Sequence, residues 1–78
     1  MARIIDGEKK NFVGSKVKKL RIQKGLSQQV LSNRLETHAI YICRGSISRI
    51  EDRKRTVTDI ELYGLSQVLD VPIEDFFE

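Results

Sequence analysis

The chain has 78 residues, of which 40% are hydrophobic and 6% aromatic, and it contains one cysteine and one histidine. This length makes one small domain, and the composition is too apolar for a disordered chain. A single cysteine excludes an internal disulfide, and one cysteine with one histidine cannot complete a structural zinc site. No stretch resembles a membrane span or a signal sequence. We therefore expect a soluble, cytoplasmic domain without a metal or a membrane partner.

Charge is distributed unevenly along the sequence. Residues 1–55 contain all 14 basic residues and five acidic ones, a formal charge of +9, whereas residues 56–78 contain six acidic residues and no basic one, a formal charge of −6. A basic stretch of 55 residues followed by an acidic C-terminal part indicates a surface that binds a polyanion. An ordinary solvated surface can show the same asymmetry.

The spacing of apolar and capping residues predicts five short helices and no strand. Residues 1–10 show neither a helical nor a strand period, and we expect a flexible arm there. This arm either touches phosphate through its basic residues or is simply a frayed end. Residues 11–78 are predicted to form the folded domain.

The first helix is predicted to begin at the N-cap Asn11, to run to Lys24 and to end on Gly25 in the left-handed conformation. Its buried face consists of Val13, Val17 and Leu20. The second helix is predicted to follow the N-cap Ser27. Its buried face consists of Val30, Leu31 and Leu35. The helical period breaks after Leu35, and the next residues are predicted to extend this helix and then turn.

Residues 43–51, CRGSISRIE, are predicted to form an amphipathic third helix. Ile47, Ile50 and Glu51 share one face, so the remaining surface is small or cationic and is concentrated toward the N-terminus. Such a surface suits a helix that enters the major groove of DNA. Cys43 is the predicted N-cap, and its thiol is either a small buried group, which we favour, or a redox-sensitive group at the DNA surface.

The fourth helix is predicted for residues 59–69, because Thr58 and Glu61 match a capping box. Its buried residues are Leu62, Leu65, Val68 and Leu69. A short fifth helix follows Pro72, and both Phe76 and Phe77 are predicted to return to the core.

Residues 12–77 resemble the Xre and phage-repressor family of helix-turn-helix proteins. The matching segments, in the family's order, are VKKLR at 17–21, KGLSQ at 24–28, ISRIE at 47–51 and LSQVLDV at 65–71. The resemblance implies an all-α, compact five-helix, lambda-repressor-like domain in which helices 2 and 3 form the helix-turn-helix. It also implies a sequence-specific transcriptional regulator, expected to be a repressor, that binds double-stranded DNA as a homodimer.

The resemblance further implies roles for individual residues. The residues expected to contact DNA bases are Arg44, Gly45, Ser46 and Arg49. Those expected to contact the DNA backbone are Gln28, Gln29, Ser48, Arg53, Lys54 and Arg55. Arg21 and Glu51 are expected to form an internal ion pair that is structural. Arginine can donate two hydrogen bonds to guanine, and the N-terminus of a helix favours phosphate.

The sequence departs from the family in the stretch joining helices 2 and 3, which is longer by about five residues than the short turn usual there. In addition, Asp52-Arg53 replaces the usual Asn-Gly after Glu51, where the family has a left-handed residue.

An alternative function is a protein-interaction module on the same fold, such as an antitoxin or an adaptor with an unidentified protein partner. The cationic third helix argues against this as the sole role. An enzyme is not expected, because the sequence has no Cys/His or Ser/His arrangement, no phosphate-binding glycine loop and no cofactor fingerprint. We therefore expect no catalytic residues and no cofactor.

Overall fold

The computed structural model describes residues 9–78, so most of the predicted N-terminal arm lies outside the described residues. Four α-helices and one 3₁₀ helix follow one another along the chain. They are α1 (Gly14–Gln23), α2 (Gln28–Glu36), α3 (Arg44–Glu51), α4 (Asp59–Leu69) and the 3₁₀ helix (Ile73–Phe77). Residues 9–78 contain no β-strand, which confirms the all-α prediction. None of these helices has the length and apolar character needed to cross a membrane.

One hydrophobic core receives side chains from every helix. Its fully buried members are Val17, Leu31, Leu35, Ile47, Ile50, Leu65, Leu69 and Phe76. Within it, α3 packs against both α1 and α2, and α4 packs against α1 and α2. Burying one such apolar side chain contributes about 1.5–3 kcal/mol. A helix of only eight residues is not stable alone, so α3 is stabilised by docking on its neighbours.

The start of α1 is joined to the end of α3. The helix begins at Gly14, later than predicted, but Asn11 still caps it, because its Oδ1 accepts the Gly14 N–H at 2.8 Å. The same side chain is buried, and its Nδ2 donates to the carbonyls of Ile50 at 3.1 Å and Arg55 at 2.7 Å. A Cβ on Gly14 would overlap the Ile50 carbonyl oxygen, so only glycine permits this approach.

The chain leaves all four α-helices through a residue of positive φ. These residues are Gly25 (70°), Ala39 (60°), Arg53 (60°) and Asp70 (55°). In each case the following N–H donates to a carbonyl five residues earlier, as Leu26 does to Arg21 at 3.1 Å, which is the Schellman arrangement. Gly25 was predicted. For an L-residue other than Asn or Asp, this conformation costs about 1–2 kcal/mol.

The connection between α2 and α3 is a tight turn followed by a segment without regular secondary structure. The helix itself stops at Glu36, residues 37–39 turn, and residues 40–43 have no helical structure. Ile40 and Ile42 are buried, whereas Tyr41 between them is 75% exposed. The longer connection is therefore anchored to the core by alternate side chains.

Three predictions of burial are wrong. Val30 is 36% exposed, because it lies off the face of α2 that buries Leu31 and Leu35. Phe77 is 51% exposed and stacks on Phe12 with ring centroids 5.8 Å apart, since the 3₁₀ helix turns it away from the core that its neighbour enters. Cys43 is exposed, because its side chain lies at the open N-terminal end of α3.

Candidate nucleic-acid interface

A buried carboxylate fixes the C-terminal end of α3. The side chain of Glu51 is 2% exposed, and its Oε2 accepts the Nε–H of Arg21 at 2.6 Å while Oε1 accepts Nη2–H at 3.0 Å. Arg21 also donates Nη1–H to the Leu26 carbonyl at 2.8 Å. Hydrogen bonding to Glu51 raises the pKa of Arg21 above its ordinary value. These contacts join α1 to the last turn of α3, as the structural role expected for the pair requires.

Gln28 extends this network to α2. Its Nε2 donates to Glu51 Oε1 at 3.0 Å, so this half-buried side chain, expected to contact the DNA backbone, also makes an internal contact. An amide nitrogen carries two N–H groups, which leaves one donor for a phosphate. Gln29 is exposed and donates to Asn33 Oδ1 at 3.0 Å. The N-cap Ser27 accepts the Val30 N–H, as predicted.

The outward face of α3 carries the residues expected to contact bases. Arg44, Gly45 and Arg49 are exposed, and Ser46 and Ser48 are half-buried. At 100° per residue, Gly45 and Arg49 lie opposite the face that is buried in the core. A Cβ on Gly45 would meet no atom within 4 Å, so its backbone is open to a large partner.

Arg44, in the first turn of α3, and Arg49 have no carboxylate partner in the part of the chain that the structure describes. Ion pairs among residues 9–78 join Arg21 to Glu51 and Arg55 to Glu61, and neither includes Arg44 or Arg49. Their guanidinium groups therefore remain available to an external acceptor.

Cys43 lies at the N-terminal edge of the same face. Its Sγ is 3.4 Å from Ser46 Oγ. The Ser46 hydroxyl, and next the backbone N–H of Ser46, lower the pKa of the thiol, as is common at the start of a helix.

The loop after α3 uses two of its three cations inside the protein. Arg53 is half-buried and donates Nε–H to the Asn11 carbonyl at 2.9 Å. Arg55 donates to both carboxylate oxygens of Glu61, at 3.0 and 2.8 Å, which raises the pKa of Arg55 and lowers that of Glu61. Only Lys54 is exposed. Arg53 reaches Asn11, which is distant in the sequence, and Arg55 reaches Glu61 at the other end of the loop. No sequence pattern indicated either contact.

Two consecutive helices joined by a turn, the second with an exposed cationic face, make this a helix-turn-helix domain. The helix-turn-helix family model matches residues 17–76, and the chain belongs to this family, in its Xre and lambda-repressor-like form. The protein is thus a DNA-binding transcriptional regulator by class. A search of curated proteins finds no match.

Two solved structures are similar to the chain. One is the restriction-modification controller protein C.AhdI from Aeromonas hydrophila, with a TM-score of 0.74 and 26% identity over 83% of this chain and 91% of that one. The other is SinR, the master regulator for biofilm formation, in complex with DNA, with a TM-score of 0.73 and 25% identity over 85% of this chain and 98% of that one. Both neighbours are regulatory proteins, one a controller and the other a master regulator.

Proposed function

We propose that the protein binds double-stranded DNA sequence-specifically as a homodimer, with α3 in the major groove, and represses transcription at its sites. The observation that supports this proposal best is that α3 has one buried face and one exposed face. Ile47, Ile50 and Glu51 are buried, and the exposed arginines have no internal ion pair within residues 9–78. SinR, a similar structure, is in complex with DNA. A cytoplasmic location, at the DNA, follows from this proposed role.

Base recognition is assigned to the N-terminal half of α3 and to Arg49, one helical turn further along the same helix. A guanidinium group donates two parallel hydrogen bonds to O6 and N7 of guanine, so Arg44 and Arg49 suit G·C pairs. Ser46 supplies a hydroxyl that can donate or accept. Gly45 contributes its lack of a side chain, since the open space above it lets the backbone approach the base edges.

Contacts to the DNA backbone are assigned to the N-terminus of α2 and to the loop after α3. The first N–H groups of a helix attract phosphate, and Gln28 and Gln29 add side-chain amides there. Gln28 would bridge the phosphate to Glu51 and so link the position of the DNA to α3. Lys54, Ser48, Arg53 and Arg55 complete this set, and the two arginines also hold the loop through their internal partners.

A homodimer is proposed because one copy reads too little DNA. At 1.5 Å per residue, the eight residues of α3 extend about 12 Å, which covers only a few base pairs. The surface assigned to the dimer contains Ile60 and Tyr63, which are one turn apart on α4 and 67% and 57% exposed. Two copies related by a twofold axis would read an inverted repeat.

The test compares Arg44→Ala with Lys54→Ala on a preferred duplex and on random duplex DNA. Loss of a base-reading arginine costs about 1–3 kcal/mol, so Arg44→Ala should weaken binding to the preferred site about 5- to 150-fold and binding to random DNA much less. Lys54→Ala should weaken both similarly and reduce the salt slope by about one.

The matched control is Lys19→Ala, which removes an exposed cation of α1. Lys19 lies in a hollow that is also lined by Arg53, Phe76 and Glu78 but by no residue of α2 or α3. This substitution should affect binding much less than Lys54→Ala. Equal losses for Arg44→Ala and Lys54→Ala on both duplexes would contradict the division into base and backbone contacts. A wild-type protein without any preferred duplex would instead favour the protein-interaction module.

A further inference from the structure

The segment Ile40 to Ile42 projects one aromatic side chain from an otherwise anchored connection. Ile40 and Ile42 are 9% and 3% exposed, whereas Tyr41 is 75% exposed, the highest value among the large hydrophobic residues within 9–78. An extended backbone sends successive side chains to opposite sides, so burial of both isoleucines turns the tyrosine outward.

Two contacts hold this segment in place. The Ile40 side chain packs onto Gly64 of α4 so closely that a Cβ there would overlap its Cδ1. The Ser32 hydroxyl of α2 donates to the Ile42 carbonyl at 2.7 Å. Tyr41 is therefore attached to a fixed backbone, and placing it against a partner costs little ordering entropy.

Tyr41 borders the surface already assigned to DNA. It lines an open groove between α2 and α3 together with Gln29, Cys43 and Ser46. Gln29 is assigned to the DNA backbone, and Ser46 to the bases. A duplex that contacts both residues passes beside the tyrosine ring.

The chemistry of the groove favours a duplex at its rim over a free anion inside it. Glu36 also lines the groove, and its carboxylate repels a phosphate that enters deeply. A tyrosine presents an apolar ring and a hydroxyl donor, which suit a deoxyribose or a thymine methyl group and a phosphate oxygen, respectively.

We infer that the long α2–α3 connection adds a DNA contact to the domain, and that Tyr41 makes it. The contact lies at the edge of the half-site next to the N-terminus of α3. This inference rests on the proposed function, because it requires α3 to lie in the major groove.

Binding of the full chain to the duplex preferred by wild type tests the inference. Tyr41→Ala should weaken binding at least about fivefold, as for an aromatic residue that contributes more than about 1 kcal/mol at an interface. Tyr41→Phe, which keeps the ring, should lose less. Both variants should melt like wild type, since the side chain is mostly exposed. Ile22→Ala, a change of another exposed side chain on α1, should bind like wild type.

A second readout uses tyrosine fluorescence, because the chain has two tyrosines and no tryptophan. Tyr63→Phe keeps the ring at the proposed dimer surface, and its duplex affinity is first compared with that of wild type. In this variant all tyrosine emission comes from Tyr41, and added duplex should protect it from quenching by acrylamide. The inference is overturned if Tyr41→Ala binds within twofold of wild type or if the duplex leaves quenching unchanged. If Arg44→Ala still weakens binding to the preferred duplex more than to random DNA in the same titrations, the proposed function stands. If wild type prefers no duplex, both fail.

Discussion

Replacing Glu51 by alanine should severely destabilise the domain. The carboxylate is 2% exposed and accepts hydrogen bonds from Arg21 at 2.6 and 3.0 Å and from Gln28 at 3.0 Å. Removing one partner of a buried ion pair costs about 3–5 kcal/mol, because the remaining charge is left uncompensated. Arg21 retains its hydrogen bond to the Leu26 carbonyl and is 11% exposed, so the expected loss is about 3 kcal/mol.

This loss is large for a chain of 78 residues, whose whole free energy of unfolding is expected to be about 4–12 kcal/mol. Urea unfolding, followed by the far-UV circular dichroism of the helices, measures this loss of free energy. Asp52→Ala removes a neighbouring but exposed carboxylate and should change the free energy of unfolding little. In a double-mutant cycle, the loss of unfolding free energy caused by Arg21→Met should be about 2 kcal/mol smaller in the Glu51→Ala background than in wild type. A loss for Glu51→Ala no larger than that for Asp52→Ala would show that the buried ion pair does not stabilise the domain.

Four further predictions concern single residues. Gly14→Ala should cost at least about 1–3 kcal/mol in thermal unfolding, since its Cβ would overlap a backbone oxygen; an unchanged melt would contradict the close approach. Ala39→Gly should stabilise by up to about 1 kcal/mol, because relief of the left-handed conformation exceeds the entropy cost of glycine; a lower melting temperature would refute this. The pKa of Glu61 is lowered by its arginine partner, so its stabilisation is present above the ordinary glutamate pKa of 4.5 and is lost as pH falls through the lower folded-state pKa. The difference in unfolding free energy between wild type and Glu61→Gln should therefore shrink on acidification, and a pH-independent difference would argue against it. Alkylation of Cys43 should be slowed by bound DNA, and equal rates with and without DNA would place α3 away from the duplex.

Local signals in the sequence predicted several helix ends correctly, although α1 begins later than predicted and α2 is not extended beyond Glu36. The Ser27 cap, the Thr58–Glu61 capping box and the left-handed Gly25 are all confirmed. Such signals join residues only three or four positions apart, and they act before the helices pack. The family resemblance added the Arg21–Glu51 pair, which residue spacing alone does not indicate.

Contacts between distant parts of the chain were not predictable in this way. The sequence shows that Arg53 and Arg55 are basic, but only the fold brings the Asn11 carbonyl and the Glu61 carboxylate within reach of them. Arg53 and Arg55, both expected to contact the DNA backbone, therefore also have internal partners that the sequence did not indicate.

Residues that take a locally unfavourable conformation were also missed. Neither Ala39 nor Asp70 favours positive φ as glycine does, yet both adopt it because the chain must reverse for Ile40 and Val71 to pack against the core. The outward position of Tyr41 did have a signal. The alternation Ile-Tyr-Ile between two helices is the pattern of an extended segment with one buried side.

In the proposed function, α3 reads DNA sequence as one of a pair. Selection of binding sites from random duplex DNA by the purified protein at near-physiological salt tests this proposal. The expected result is enrichment of an inverted repeat that contains G·C pairs, with half-site centres about 10–10.5 base pairs apart or a multiple of that spacing. Weak, salt-sensitive binding without any enriched sequence would contradict it.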